Sequence, residues 1–316
     1  MTEVYEASTM KPFRLRDVFD RYQGRPFVFV VPGGNYGDHL IWHGAEKLAR
    51  SHGLVFRSCS SDEALHSRFD PEEAVYIHGG GGFVPWWSGD GIKVLQHLCE
   101  SHPGPVIYGP CTVDPTDMKF LRQCLAPVPK SPAEEVVILA RERPSFEALQ
   151  EVLGTKHVGL DHDTALYLEA SDFPHIAQLM KSRGDYDFIA ARVDAEGVGD
   201  CLLISLDPVK IARSFDHWLA MHACARSIVT NRLHSSIVGS IFGVPTTLSS
   251  NSYHKARSVW EYSLQERDVL WADSIRSSTT PSSLLTGLVG LVAPKLKDSI
   301  TRRHIWQIQP EQLGLN

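Results

Sequence analysis

A rhythm in the sequence constrains the fold most. From residue 27 to about residue 250, short runs of β-branched and aromatic residues alternate with segments of helical period. That alternation is the mark of βα units, in which parallel strands are joined through covering helices. The runs at 27–31, 54–57, 74–78, 106–108, 136–140 and 157–160 predict six strands, with helical patterns at 38–51, 91–101 and 144–153. Near residue 172 the pattern restarts. It predicts a helix at 173–183, strands at 187–192 and 202–206, a helix at 208–223, a strand at 227–230, a helix from about Ser235 and a strand at 244–248. One or two closing helices are expected within 281–305. The expectation is an α/β chain of two Rossmann-like halves with mostly parallel sheets, residues 1–172 and 173–316, the break falling near 168–185.

At 316 residues and 43% hydrophobic content the chain can bury two such cores. Its longest apolar stretches fall far short of the roughly 20 residues that cross a bilayer. The opening MTEVYEASTMKPFRLRDVF lacks the apolar centre of a secretory signal. Cytoplasmic residence is expected, with at most peripheral membrane association. Cys59, Cys99, Cys111, Cys124, Cys201 and Cys224 show neither CxxC pairing nor zinc spacing and read as buried reduced thiols. No metal site is read from the 15 histidines. A formal charge of -6 argues against a nucleic-acid partner, because phosphate backbones attract basic surfaces. Small molecules are the expected partners.

Ligands of open parallel sheets bind beyond the carboxyl ends of strands, beside helix N-termini. The residues following the predicted strands therefore carry the information. After the first comes VPGGNYGDHL, whose Gly33, Gly34 and Gly37 permit a close backbone approach. The spacing is not the GxGxxG of a dinucleotide site, so a nicotinamide dehydrogenase is disfavoured. Asp38 is placed to cap a helix beginning near His39; with Asn35 it is alternatively a hydrogen-bonding pair for a polyhydroxylated ligand. The third strand ends in YIHGGGGFVPWW. Four glycines disfavour a strand or helix interior, so Gly80 and Gly81 are expected on an irregular, amide-lined path. Trp86 and Trp87 would either stack on a sugar face or pack under a loop.

The fifth strand runs into ARERPS, where Arg141 stands at the strand end and Pro144 and Ser145 suit a helix start. Arg141 is either an anion ligand across a cleft or an ordinary ion-paired arginine. In TNRLHSSIVGSIFGVP, Ile237, Val238, Ile241 and Phe242 make one helical face, so Arg232 and His234 project from the preceding βα turn. Farther on, NSYHKARSVWEY contributes Lys255 and Arg257, with Trp260 and Tyr262 on an expected helix. Arg141, Arg232, His234 and Lys255 form a cationic set in an acidic chain, suited to a small anionic substrate.

These motifs resemble the polysaccharide pyruvyl transferase family. GGNYGDHLI is similar to the family's N-terminal glycine motif, and IHGGGGF and ARERPS to its next landmarks. TNRLHSSIVGSIFGVP followed by SNSYHKARSVWE is similar to its R-L-H helix and its lysine- and tryptophan-bearing tail. The resemblance spans roughly residues 28–264. It implies a GT-B-like fold, two Rossmann-type domains facing a cleft, with the acceptor on the first and phosphoenolpyruvate on the second. It further implies transfer of the pyruvyl group of phosphoenolpyruvate onto a saccharide as a cyclic ketal, with release of phosphate, in exopolysaccharide or cell-envelope polysaccharide biosynthesis. The acceptor would be nucleotide- or lipid-linked, and no cofactor or metal is implied. Arg141, Arg232, Leu233, His234 and Lys255 would hold the donor, with His234, Arg232 and Lys255 as the catalytic set and His234 as the acid-base residue. Asn35, Asp38, Gly80 and Gly81 fall to the acceptor.

Elementary chemistry agrees with that implication. Arginines suit both anionic ends of phosphoenolpyruvate, and histidine exchanges protons near neutral pH. Two other readings stay open. One is a GT-B glycosyltransferase whose Arg232 and Lys255 hold the diphosphate of a nucleotide sugar. The other is a non-catalytic sugar-phosphate binding protein on the same fold. About 25 residues before the first strand have no matched role, and His39 and His43 stand outside the family pattern.

Overall fold

Two faces of one buried sheet organise the first half of the chain. In the computed structural model, which describes residues 11–275 apart from 88, 181–185, 193 and 198–206, strands alternate their side chains between two apolar layers. On β1 (Phe27–Val31), Val28 and Val30 join one cluster with Leu95 and Leu98, while Phe27 and Phe29 join another with Leu15, Phe19 and Ala45. On β3 (Ala74–Ile77), Val75 and Ile77 follow the first pair and Ala74 and Tyr76 the second. This is the period-two placement of a strand covered on both sides.

With β2 (Phe56–Ser60), β4 (Gly80–Phe83), β5 (Val106–Val113), β6 (Val136–Ala140) and β7 (Val158–Leu160), these strands form a seven-stranded parallel sheet. Its order is β2-β1-β3-β5-β6-β7, with β4 paired to the far half of β5. A second parallel sheet has the order β11-β10-β9-β8, from β8 (Asp187–Ala190), β9 (Ser227–Thr230), β10 (Thr246–Ser249) and β11 (Val269–Ala272). Its core gathers Phe188, Trp218, Ile228, Ile237 and Leu248, and it extends to Leu40, Ala165 and Leu166, so the two Rossmann-like units share apolar packing. Among the described residues no helix is long and apolar enough to cross a membrane.

Several expectations need correction. The glycine run is a strand over Gly80–Phe83, which the sequence disfavoured, although its path is irregular: its pairing with β5 shifts register between Gly80 and Phe83. Backbone proximity explains it: a Cβ on Gly79 would meet Pro110 O at 2.2 Å, and Gly80 holds φ +131°, so only glycine lets β4 lie this close to β5. Asp38 does not cap the first long helix, Tyr36–Ser51. Asn35 does, accepting from Gly37 N at 2.9 Å, while Asp38 closes the capping box by accepting from Asn35 N. The expected helix 208–223 is two, Pro208–Ile211 and Phe215–Ala223, because Asp207 and Ser214 each cap a new start. The last described helix, Lys255–Val259, passes into a π-turn at Trp260–Leu264.

Other elements were not foreseen. Leu15–Arg21 is a helix whose Leu15, Val18 and Phe19 are buried, which gives the N-terminal segment a packing role. Helices Ser61–His66 and Met118–Leu125 and strand β11 were likewise unread. Strand 202–206, the end of helix 173–183, closing helices 281–305 and Cys201 lie outside the described residues.

Candidate functional site

The turns after β1, β3, β6 and β9 and the segment after β10 border a cavity of about 440 Å³ between the two sheets. Gly34, Asp38 and Gly81 reach it from the first unit, and Arg232, His234 and Lys255 from the second. This is where open parallel sheets bind ligands.

Arg141 follows β6 directly. Glu142 caps the next helix, Arg143–Leu153, by accepting from Ser145 N at 3.0 Å, and Ser145 Oγ accepts from Val113 N on β5 at 2.9 Å. The glutamate and serine of this R-E-x-x-S stretch thus fasten the helix to the sheet, and the arginine lines the cavity. Arg141 is 1% exposed. Its Nε donates to Thr112 Oγ1 at 2.8 Å and its Nη1 to Asp163 Oδ2 at 2.6 Å. The same Asp163 oxygen lies 3.4 Å from His234 Nε2. Burial alone would raise the Asp163 carboxyl, but Arg141, His234 and the Ala165 N–H outweigh it and hold it well below the usual carboxylate range. One ionised carboxylate therefore positions both the arginine of the first unit and the histidine of the second.

The helix Leu233–Ile241 begins two residues earlier than the sequence suggested, so Arg232 is its N-cap residue and His234 sits in its first turn. Leu233, between them, is buried in the second core and lines the cavity. Arg232 Nη2 donates to Asp207 Oδ2 at 2.6 Å and Asp194 Oδ2 at 3.0 Å, and its buried Nε has no partner among the described residues. Arg192 joins Asp194 to Glu196 through bonds of 2.6–2.9 Å. Glu196 in turn accepts from Lys255 Nζ, from Trp87 Nε1 at 2.9 Å and from Asn251 Nδ2 at 3.2 Å.

Burial pushes the Lys255 ammonium down to about 8, Glu196 opposing this and Arg192 and Arg141 adding to it. Glu196 is held below its ordinary range because Lys255 and Arg192 outweigh its burial. The sequence reads a cationic set; the structure shows those cations already matched by Asp163, Asp194, Glu196 and Asp207. These carboxylates, with Arg192 and Thr112, escaped sequence reasoning. Asp163, Asp194 and Asp207 nevertheless follow predicted strands, and the positional rule that found Arg232 could have found them.

Gly81 joins the two halves of the site. Arg141 Nη2 and Lys255 Nζ each lie 3.4 Å from where its Cβ would stand. Gly80 instead faces Ile41 and Asp38. Asn35 and Asp38 line the cavity at the start of helix Tyr36–Ser51. His39 and His43, farther along that helix, stack on Trp42 and Phe215 respectively. Arg257 is not brought into the site: its guanidinium lies between Trp260 and Trp271, 4.9 and 4.8 Å from the ring centres. Tyr262 stacks on His162. Among the described residues no group of three or more His, Cys, Asp or Glu could hold a metal ion.

Comparison with known proteins adds two findings. A family model described as polysaccharide pyruvyl transferase matches residues 35–253. The crystal structure of an uncharacterized protein from Klebsiella pneumoniae subsp. pneumoniae NTUH-K2044 superposes with a TM-score of 0.63 at 18% identity, covering 82% of this chain and 97% of that one. At that identity the likeness is one of fold. No curated protein matches the chain.

Proposed function

The chain belongs to the polysaccharide pyruvyl transferase family, and from that premise we propose that it moves the pyruvyl group of phosphoenolpyruvate onto two hydroxyls of one saccharide, forming a cyclic ketal. The supporting observation is the approach of Arg141 and Lys255 to one face of Gly81, with His234 fixed to the carboxylate that holds Arg141. Cations from both units thereby border one small cavity that also receives a histidine, as a doubly anionic donor requires. The donor's carboxylate and phosphate take Arg141, Arg232 and Lys255 as partners, Arg141 through the Nη2 beside Gly81 while it keeps Asp163, and Arg232 and Lys255 in exchange for carboxylates they hold here.

The chemistry balances without any further reactant. A proton goes to the methylene carbon, one sugar hydroxyl bonds to the central carbon, the C–O bond to phosphate breaks, and the second hydroxyl closes the ketal. Of the two hydroxyl protons, one replaces that given to the methylene and the other leaves on inorganic phosphate. His234 is the residue that moves them, with Asp163, 3.4 Å from its Nε2, orienting the ring. The unit of residues 1–172 carries the acceptor and that of 173–316 most of the donor site. The acceptor is nucleotide- or lipid-linked, and the work is done in the cytoplasm during exopolysaccharide or cell-envelope synthesis.

The test is incubation with phosphoenolpyruvate and a panel of saccharides, read by mass spectrometry and phosphate release. Acceptors should gain the mass of one pyruvyl ketal in step with phosphate, and His234→Ala should slow this about 100-fold or more. Transfer of a whole sugar from a nucleotide donor, or an undiminished His234→Ala, would overturn the assignment.

A further inference from the structure

Trp86 and Trp87 follow β4 and stand 39% and 42% exposed; with Val55 and Leu270 they are the exposed large apolar side chains of the described residues. Each is held by a neighbour of Lys255. Trp87 Nε1 donates to Glu196 Oε1, whose other oxygen accepts from Lys255. Trp86 meets Tyr253 edge-on, ring centres 5.1 Å apart at 85°, and Lys255 Nζ lies 5.1 Å from the centre of that tyrosine ring. A bond through Nε1 lies in the indole plane, so it fixes Trp87 without using either face. Trp87 also lines the cavity, next to Gly82, Gly89 and Asp90. Half-exposed indoles forgo part of the stabilisation that burial gives. Two of them, adjacent in the chain, each anchored and one lining a ligand-sized cavity, fit a binding surface better than a packing role.

We propose that Trp86 and Trp87 form the stacking platform for the acceptor, and that the unit they select is a neutral hexopyranose presenting an apolar C–H face. The inference rests on the pyruvyl-transfer reading for the identity of the reaction but not for the identity of the surface. The negative face of an indole attracts the positively polarised C–H bonds of a pyranose ring. Asp38, with one oxygen taken by Asn35 N, and Asp90, with one taken by Lys93, line the same cavity; their remaining oxygens would accept hydroxyl hydrogen bonds and disfavour a uronate. Gly81 and Gly82 keep side chains out of the path from the platform to Lys255, so a ring stacked on Trp87 can turn its hydroxyls toward the donor.

Saturation-transfer NMR on the full chain without donor tests this, using methyl β-galactopyranoside, methyl β-glucopyranoside and methyl β-glucuronide as probes. Protons on one ring face of a neutral glycoside should saturate strongly, and the glucuronide weakly. Trp86→Ala and Trp87→Leu should each weaken that binding about fivefold. Trp87→Phe, which keeps a ring but loses the bond to Glu196, should retain most of it. Inorganic phosphate, as a probe of the donor end, should bind Trp86→Ala as it binds the parent.

Glucuronide binding as tight as the neutral sugars, unchanged binding in both variants, or no glycoside binding at all would overturn the platform. The two readings fail separately. Stacked glycosides with no turnover of phosphoenolpyruvate would sink the reaction and leave the platform. Ketal formation at the parental acceptor KM in both tryptophan variants would do the reverse.

Discussion

The His234 ring occupies the space that a side chain at position 37 would need: a Cβ on Gly37 would stand 2.4 Å from Nδ1 and 2.8 Å from Cγ. Glycine inside a helix ordinarily costs about 0.5–1 kcal/mol relative to alanine. Here the sign reverses. Gly37→Ala should lower the melting temperature and move the imidazole away from Asp163, with kcat reduced about 100-fold. His234→Ala combined with Gly37→Ala removes the clash with the ring but keeps the His234 Cβ, 2.9 Å from the added methyl, so it should recover part of the lost stability and none of the activity. A stable, fully active Gly37→Ala single variant would show that the ring is free to move.

Asp163 holds the two units' functional groups at once. Asp163→Asn keeps the shape but leaves the Arg141 guanidinium, 1% exposed, without its 2.6 Å charge partner. Removing one partner of a buried ion pair costs about 3–5 kcal/mol. Denaturant unfolding should register that loss, and phosphate release should fall even where the fold survives at low temperature.

Gly81 answers differently from Gly37. An alanine methyl there meets Arg141 Nη2 and Lys255 Nζ at 3.4 Å, ordinary contact distance, so folding should be unaffected. The methyl would still cover the cation edges that face the cavity. Gly81→Ala should raise the KM for phosphoenolpyruvate on the order of tenfold with little change in melting temperature. An unchanged KM would place the donor elsewhere.

Most of the scaffold was legible because its strands are buried on both faces and read as continuous apolar runs. Phe27–Val31 and Val136–Ala140 are examples, and both match their predicted bounds. What escaped was decided at a distance. Gly80–Phe83 is a strand because Gly109 and Pro110 leave no room for a Cβ at Gly79, which no local rule reveals. Leu15–Arg21 is short and its first turn is charged, so its three buried residues looked like a polar leader. Positive charge at the site was visible in Arg141, Arg232 and Lys255. Its neutralisation was not, because Asp194 and Glu196 meet those cations only through the fold. Whether a residue is a cation or half of an ion pair depends on contacts between distant segments.

Glu196 tests that point. It accepts from Lys255 and from Arg192 Nη1, so Glu196→Gln should free Lys255 for an added anion while Arg192 keeps Asp194. Inorganic phosphate should bind about tenfold more tightly, while the unliganded protein melts at a lower temperature because buried charge has lost its partner. Weaker phosphate binding would mean that Glu196 orders the site more than it neutralises it.

Lys255 gives the site a pH dependence. Its ammonium is lowered from 10.5 to about 8 by burial, with Arg192 and Arg141 adding to the effect and Glu196 opposing it. If the charged form holds the donor, kcat/KM for phosphoenolpyruvate should fall roughly tenfold per pH unit above about pH 8. Lys255→Arg, which stays charged, should remove that limb.

Stability should run the other way. Between about 8 and 10.5 the unfolded chain holds a proton on this lysine that the folded chain has released. The lysine's penalty on the fold is therefore full below about pH 8 and fades as pH rises. Melting curves of the parent and Lys255→Met should converge from pH 8 to pH 10 if the replacement is the more stable at neutral pH. A constant gap over that range, together with a flat kcat/KM, would show that Lys255 keeps an ordinary ammonium in the folded protein.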